Sequence, residues 1–160
     1  MKPYVMKERL DILKSNSTAL KGLVEMERCA SDSNLKPSLC ELVKLRISQI
    51  NGNDKCLDMH LGNALATGES EQRLVALGKW ERSALFSERE RAALAWTEAL
   101  TLIATHEIPD ELYKTARGYF SEEDLIALTF CIIATNGWNR LSKCFHTVCG
   151  GTDQEKNNTI

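Results

Sequence analysis

The chain has 160 residues, 43% of them hydrophobic, which is enough apolar material for one core and predicts a single domain. Charged residues make up 26% and nearly cancel, leaving a formal net charge of −2 at pH 7. Because no basic surplus would attract phosphate groups or anionic lipid, neither nucleic acid nor a membrane is expected as a partner.

The N-terminal run MKPYVMKERLDILKSN mixes charged with apolar side chains and lacks the continuous apolar stretch of a secretory signal. No segment approaches the roughly 18 to 20 apolar residues that cross a bilayer. We therefore expect a cytoplasmic protein, whose thiols are mostly kept reduced. In that compartment the cysteines are predicted to be buried apolar residues or reactive thiols rather than a disulfide framework: Cys29, Cys40, Cys56, Cys131, Cys144 and Cys149.

Apolar residues at helical spacing predict two helices in the first third of the chain. Residues 17–31 place apolar side chains among charges on one helical face, and residues 32–34 end this helix. Pro37 suits the first turn of the next helix, where its missing N–H is not needed. Asn51 and Gly52 tolerate the left-handed conformation of a C-terminal cap and end that helix.

A third helix is predicted to begin after Asn53, whose side chain can cap it, and to run to about Thr67. This start places Cys56 at the third position of the first turn. A short helix follows around residues 70–79.

Three later helices have their own start signals. Ser87 and Glu90 have the spacing of a capping box, Pro109 begins the next helix, and Ser121 with Asp124 caps the last major segment. The apolar run LTFCIIAT inside that segment would also suit a strand, but the preceding cap favours a helix.

The predicted architecture is an all-α bundle of about six to eight helices. A single helical domain is assigned to residues 1–149. Residues 150–160 contain almost nothing apolar to bury and are predicted to form a mobile polar tail.

One group of residues could support chemistry. Cys56 and His60 lie four residues apart and would project from the same helical face, within contact distance. A free thiol is only about 3% ionised at neutral pH, and both a helix N-terminus and a proton-accepting imidazole would increase that fraction. Glu41, on the preceding helix, could orient His60 or relay its proton. In a simple antiparallel hairpin, however, Glu41 and Cys56 would lie far apart.

Simpler interpretations exist for each of these three residues. The cysteine could pack in the core, the histidine could be a hydrogen-bonded structural residue, and the glutamate could favour the helix dipole. Cys144, His146 and Cys149 are metal-ligand types, but their spacing does not match a usual zinc site and no fourth ligand is evident. No metal and no other cofactor is therefore expected.

The run ELVKLRISQINGNDKCLDMH, residues 41–60, resembles the signature of the carboxymuconolactone decarboxylase family, specifically its AhpD-like alkylhydroperoxidase branch. Residues 85–101, 108–130 and 136–141 also resemble the corresponding parts of that branch. The resemblance covers most of residues 15–145 and implies an all-α fold that assembles as trimers or hexamers.

In the peroxidase members of the family, a Glu, a Cys-x-x-Cys pair and a His form a proton relay. By position, the resemblance assigns these roles to Glu41, His60 and Cys56, where Cys56 matches the second cysteine, which becomes a sulfenic acid. The first cysteine, which is the disulfide partner, falls on Asn53. Without a local partner, an oxidised Cys56 would need another thiol. The sources considered are Cys29, Cys40, Cys131, Cys144, a small external thiol or another subunit.

The function that this resemblance implies is a thiol-dependent peroxidase or antioxidant protein, with a hydroperoxide as substrate and a thiol reductant as second partner. A lactone decarboxylase, in which a carboxylate and an imidazole handle protons without a cysteine pair, is the alternative enzyme. A non-catalytic oligomeric or redox-sensing protein is the third hypothesis.

Overall fold

The computed structural model describes residues 7–15 and 18–150, and within these ranges all regular secondary structure is helical. The predicted all-α bundle is confirmed, and LTFCIIAT belongs to a helix rather than a strand. No helix in the described ranges has both the length and the apolar character needed to traverse a bilayer. The described residues form two 3-10 helices, Leu13–Ser15 and Leu77–Arg82, and the α-helices α1 (Thr18–Ser31), α2 (Pro37–Asn51), α3 (Asp54–Ala66), α4 (Glu71–Ala76), α5 (Glu88–Thr101), α6 (Asp110–Tyr119) and α7 (Glu122–Phe145).

The ends of α2 and α5 follow the predicted signals. Pro37 begins α2, and Gly52 ends it with a φ of 57°, a conformation that glycine adopts without a Cβ clash. Ser87 and Glu90 form both hydrogen bonds of a capping box at the start of α5. These local signals fix where the chain turns between helices.

Helix α2 lies at the centre of the bundle, where it packs against α3, α5 and α7. Its residues Leu42, Val43 and Ile47 are fully buried. Helix α7 also packs along α1 and contacts α3. This packing brings the chain that leaves α7 close to the beginning of α3.

The chain after α7 lies against the bundle. His146 follows the last residue of α7 in a left-handed conformation, with a φ of 54°. We name residues 147–150 the C-terminal strap; its Thr147 and Cys149 are buried. The predicted mobile tail falls almost entirely on residues 151–160, which lie outside the described part of the chain.

Candidate active site

The turn between α2 and α3 positions the start of α3. Asn53 is the N-cap, as predicted, and its Oδ1 accepts a hydrogen bond from the Cys56 backbone N–H at 3.3 Å. Its Nδ2 donates to the Asn139 carbonyl oxygen at 3.2 Å, which ties the turn to α7. Cys56 is thereby held at the third position of α3, with its side chain fully buried.

Cys56 forms a disulfide with Cys149 of the C-terminal strap, across a Cα–Cα distance of 5.2 Å and a sequence separation of 93. The expectation of buried or reactive thiols in place of disulfides is therefore wrong for this pair. None of the four thiols considered as partners bonds to Cys56; all four are free. The reason is packing: α7 returns the strap to the start of α3, a proximity that sequence spacing cannot reveal.

The disulfide is enclosed by apolar side chains. Ile12 and Trp138 are the other buried members of the cluster that contains both cysteines. The exposed fraction is 0% for Cys56 and 3% for Cys149. In this oxidised form neither sulfur is accessible to a molecule in solution.

Glu41 and His60 meet in the α2–α3 hairpin, where His60 Nδ1 lies 3.0 Å from Glu41 Oε2 and both residues are buried. His60 lies four residues beyond Cys56, or about 6 Å of helical rise. Both belong to the buried face of α3. The hairpin therefore brings Glu41 to His60, which lies one turn beyond Cys56 along α3.

Two charged residues that the sequence did not single out complete this end of the site. Lys44 Nζ lies 3.1 Å from Glu41 Oε1 and 3.5 Å from Glu27 Oε1. Glu27 Oε2 also accepts a hydrogen bond from Trp138 Nε1 at 3.2 Å. The three-residue step from Glu41 to Lys44 was a usable signal. No comparable signal in the sequence indicates that Glu27, which lies on α1, belongs to this site.

The surroundings of Glu41 keep it ionised. Burial alone would raise the pKa of Glu41, but the hydrogen bond with His60 and the charge of Lys44 outweigh it and lower that pKa. Burial alone would lower the pKa of Lys44. The negative charge of Glu41 is the largest of the effects that outweigh burial and raise this pKa. Because an ionised carboxylate only accepts hydrogen bonds, Nδ1 of His60 is the donor in this pair, and Nε2 of a neutral ring is then the acceptor nitrogen.

A cavity of about 380 Å³ opens beside the charged end of the site. Glu27, Cys40, Glu41 and Lys44 contribute to its lining, whereas Cys56 and Cys149 do not. The cavity therefore reaches the carboxylate of the Glu41–His60 pair but not the disulfide.

The remaining cysteines lie apart from this pair. A hydrogen bond with Cys40 and burial together raise the pKa of Cys131 well above its usual range, so Cys131 remains a protonated thiol. Cys144 is exposed on α7. His146 Nδ1 lies 3.2 Å from the Lys7 carbonyl oxygen, and no group of three metal-ligand side chains occurs in the described ranges.

A family model matches half of this chain. The model of the carboxymuconolactone decarboxylase family matches residues 19–99, which include α2, α3 and the Glu41–His60 pair. The protein YdfG of Bacillus subtilis, itself uncharacterised, is 36% identical over 137 residues, which cover 86% of this chain and 93% of that protein.

Solved structures share this fold. A crystal structure of a protein of unknown function from Agrobacterium tumefaciens, described as a candidate antioxidant defence protein AhpD, is 35% identical. It superposes with a TM-score of 0.82 over 91% of this chain and 99% of that one. The debrominase Bmp8 shares the fold, with a TM-score of 0.75 at 19% identity, over 91% of this chain and 78% of its own.

Proposed function

Because the chain belongs to the carboxymuconolactone decarboxylase family, we propose that it is an AhpD-like thiol peroxidase that reduces hydroperoxides through Cys56. The observation that carries this proposal is the buried Glu41–His60 hydrogen bond, one helical turn from a cysteine at a helix N-terminus. The antioxidant role suggested for the Agrobacterium protein, at 35% identity, supports the same reading.

The position of Cys56 favours its thiolate. The N-terminus of an α-helix stabilises a negative charge, and the third position of α3 lies in its first turn. His60, four residues later on the same buried face, is the group that takes the thiol proton. Glu41 fixes the tautomer of His60, and the hydrogen bond with His60 together with the charge of Lys44 keeps Glu41 ionised.

The reaction transfers two electrons from sulfur to the peroxide. The reduced Cys56 thiolate attacks the terminal peroxide oxygen, the S–O bond forms and the O–O bond breaks. The leaving alkoxide takes the proton held by His60 and departs as an alcohol, or as water when the substrate is hydrogen peroxide. Cys56 is left as a sulfenic acid.

The test is peroxide consumption by the protein after the disulfide has been reduced with a dithiol. Hydrogen peroxide and an organic hydroperoxide are each supplied to wild type and to Cys56→Ser. We expect Cys56→Ser to lose consumption of both. Cys144→Ser, which removes an exposed free thiol, is the matched control and should behave as wild type.

Two results would contradict the proposal. If Cys56→Ser consumed peroxide at the wild-type rate, the reacting thiol would not be Cys56. If wild type oxidised once and a dithiol supported no further turnover, the protein would be a redox sensor rather than a peroxidase.

A lactone decarboxylase is the second candidate, and the cavity favours it. Glu41 and Lys44 line a space of about 380 Å³ that excludes Cys56, so a substrate bound there would meet proton-handling groups without meeting sulfur. Release of carbon dioxide from a carboxymuconolactone, retained in Cys56→Ser and lost in Glu41→Gln, would establish this activity in place of the peroxidase.

We also propose a homo-oligomer, a trimer or hexamer, acting in the cytoplasm, where thiol reductants are available. Helix α7 exposes Ile126, Phe130 and Ile133 at four- and three-residue steps, an apolar stripe that a second subunit would cover. Light scattering coupled to size-exclusion chromatography measures the subunit number. A strictly monomeric protein at micromolar concentration would contradict the assembly.

A further inference from the structure

We propose that Cys149 is the resolving cysteine of this protein and performs the task for which position 53 lacks a thiol. The inference rests on the proposed peroxidase function. Its basis is the covalent link between the C-terminal strap and the first turn of α3, which joins a buried cysteine to the residue assigned as the peroxide-reacting thiol.

The strap is built to place Cys149 over the start of α3. The left-handed conformation of His146 turns the chain off the end of α7. Ser142 Oγ then donates to the Thr147 carbonyl oxygen at 3.0 Å, and Lys55 Nζ donates to the His146 carbonyl oxygen at 2.6 Å. The Cα atoms of Cys56 and Cys149 are 5.2 Å apart, a usual separation for disulfide-bonded cysteines.

No other thiol of the described chain is comparably placed. Cys40 and Cys131 belong to the hydrophobic cluster around α2 and α7, separate from the cluster of Cys56, and Cys29 packs against that same separate cluster. Cys144 is exposed on α7. Cys149 is the cysteine that shares the cluster of Cys56.

Residue 53, the position of the local disulfide partner in the family, cannot supply the resolving thiol here. The side chain of Asn53 uses its oxygen to cap α3 and its nitrogen to bind the Asn139 carbonyl. Residue 53 therefore serves as a structural cap, and a sulfur that resolves Cys56 must come from elsewhere. The strap provides it from the other end of the chain.

The two sulfurs have different roles because their surroundings differ. Cys56 lies in the first turn of a helix and one turn from His60, both of which favour a thiolate. Cys149 lies outside any helix. Cys56 is thus the sulfur that attacks peroxide, and Cys149 the sulfur that attacks the oxidised Cys56.

The chemistry balances with a dithiol as reductant. The Cys149 thiol attacks the sulfur of the Cys56 sulfenic acid, the S–S bond forms, the S–O bond breaks, and the hydroxyl leaves as water with the thiol proton. A dithiol reductant then passes two electrons and two protons to the disulfide, which restores both thiols, and the reductant becomes a disulfide.

Access to Cys56 follows from the same arrangement. In the oxidised form the strap seals both sulfurs. After reduction the strap has no covalent tie to α3, and its remaining polar ties include the Thr147 Oγ1–Glu8 Oε1 hydrogen bond of 2.7 Å. Opening of the strap then admits the peroxide to Cys56.

The experiment compares reduced, desalted wild type, Cys149→Ser and Cys144→Ser after one equivalent of hydrogen peroxide, with dimedone present to trap sulfenic acid. Wild type and Cys144→Ser should lose two thiols each and form no dimedone adduct. Cys149→Ser should lose a single thiol and accumulate the adduct on Cys56. Intact-mass measurement distinguishes these products.

The outcomes separate this inference from the function on which it rests. Loss of two thiols without adduct in Cys149→Ser would overturn the role of Cys149 while leaving Cys56 as the peroxidatic thiol. Accumulation of adduct in wild type would do the same. Absence of any thiol loss in wild type would overturn the peroxidase itself.

A rescue variant tests whether a thiol at residue 53 can replace the Cys149 thiol in resolving oxidised Cys56. Asn53→Cys in the Cys149→Ser background recreates the Cys-x-x-Cys spacing, and we expect it to abolish the dimedone adduct through a local disulfide. Because the wild-type arm needs no substitution, the inference stays testable even if Cys149→Ser folds poorly. Persistence of the adduct in the rescue variant would contradict the proposed equivalence.

Discussion

The two ends of the site are built in different ways. The Glu41–His60 end is formed within one helical hairpin by residues 19 positions apart, and buried charge holds it together. The Cys56–Cys149 end joins residues 93 positions apart through a covalent bond. We therefore expect the first end to respond to changes of charge and the second to changes of redox state.

Glu41→Gln should have the largest effect on stability. It leaves the nearly buried Lys44 ammonium with Glu27 as its remaining carboxylate partner, and breaking a buried pair costs about 3 to 5 kcal/mol. The matched control is Glu111→Gln, because Glu111 and Lys114 form an exposed pair at the same three-residue step, 2.7 Å apart. Urea denaturation of both variants measures the difference, and equal losses would refute buried charge as the stabilising feature.

Reduction of the disulfide should have the next largest effect. Loss of a disulfide typically lowers the free energy of unfolding by about 2 to 4 kcal/mol, because the unfolded chain gains conformational freedom. Thermal unfolding with and without a dithiol measures the change. Oxidised Cys144→Ser should match oxidised wild type, whereas a wild type insensitive to reduction would contradict the long-range link.

Asn53→Ala should have a smaller effect. It removes the cap of α3 and the hydrogen bond to the Asn139 carbonyl, and loss of an N-cap costs about 1 kcal/mol. Ser70→Ala, which removes the N-cap of the six-residue helix α4 from an exposed site, is the comparison. A smaller loss for Asn53→Ala than for Ser70→Ala in the same denaturation assay would argue against a structural role of residue 53.

The smallest effect should appear in the way that stability falls at acidic pH. The pKa of Glu41 is lower in the folded protein than its ordinary value of 4.5. Its contribution is therefore complete above that value and is lost as the pH falls through the lower, folded-state pKa. Melting temperatures measured from neutral to acidic pH should fall less steeply for Glu41→Gln than for wild type. Parallel curves would show that Glu41 does not contribute.

The sequence predicted the parts of this molecule that local signals determine. Pro37, Gly52, Asn53 and the capping box at Ser87 act within one or two turns, and each marked its helix end correctly. The pairing of Glu41 with His60 was implied by the family resemblance of residues 41–60, because spacing alone does not determine the distance between two helices.

The sequence did not predict the contacts that depend on how the helices pack. Glu27 reaches Lys44 from α1, and Cys149 reaches Cys56 from the far end of α7. No periodicity or cap encodes either distance. Thr147 and Cys149 fall inside the predicted domain and are buried, but no local signal indicates that they lie beside the start of α3.

The most direct test of this account is peptide mapping of the reduced wild-type protein after one equivalent of hydrogen peroxide. Non-reducing proteolysis and mass spectrometry identify which cysteines have reacted and which are joined. The account predicts a single linked pair, the peptide of Cys56 bonded to the peptide of Cys149. Recovery of Cys56 as a free, unmodified thiol would contradict it.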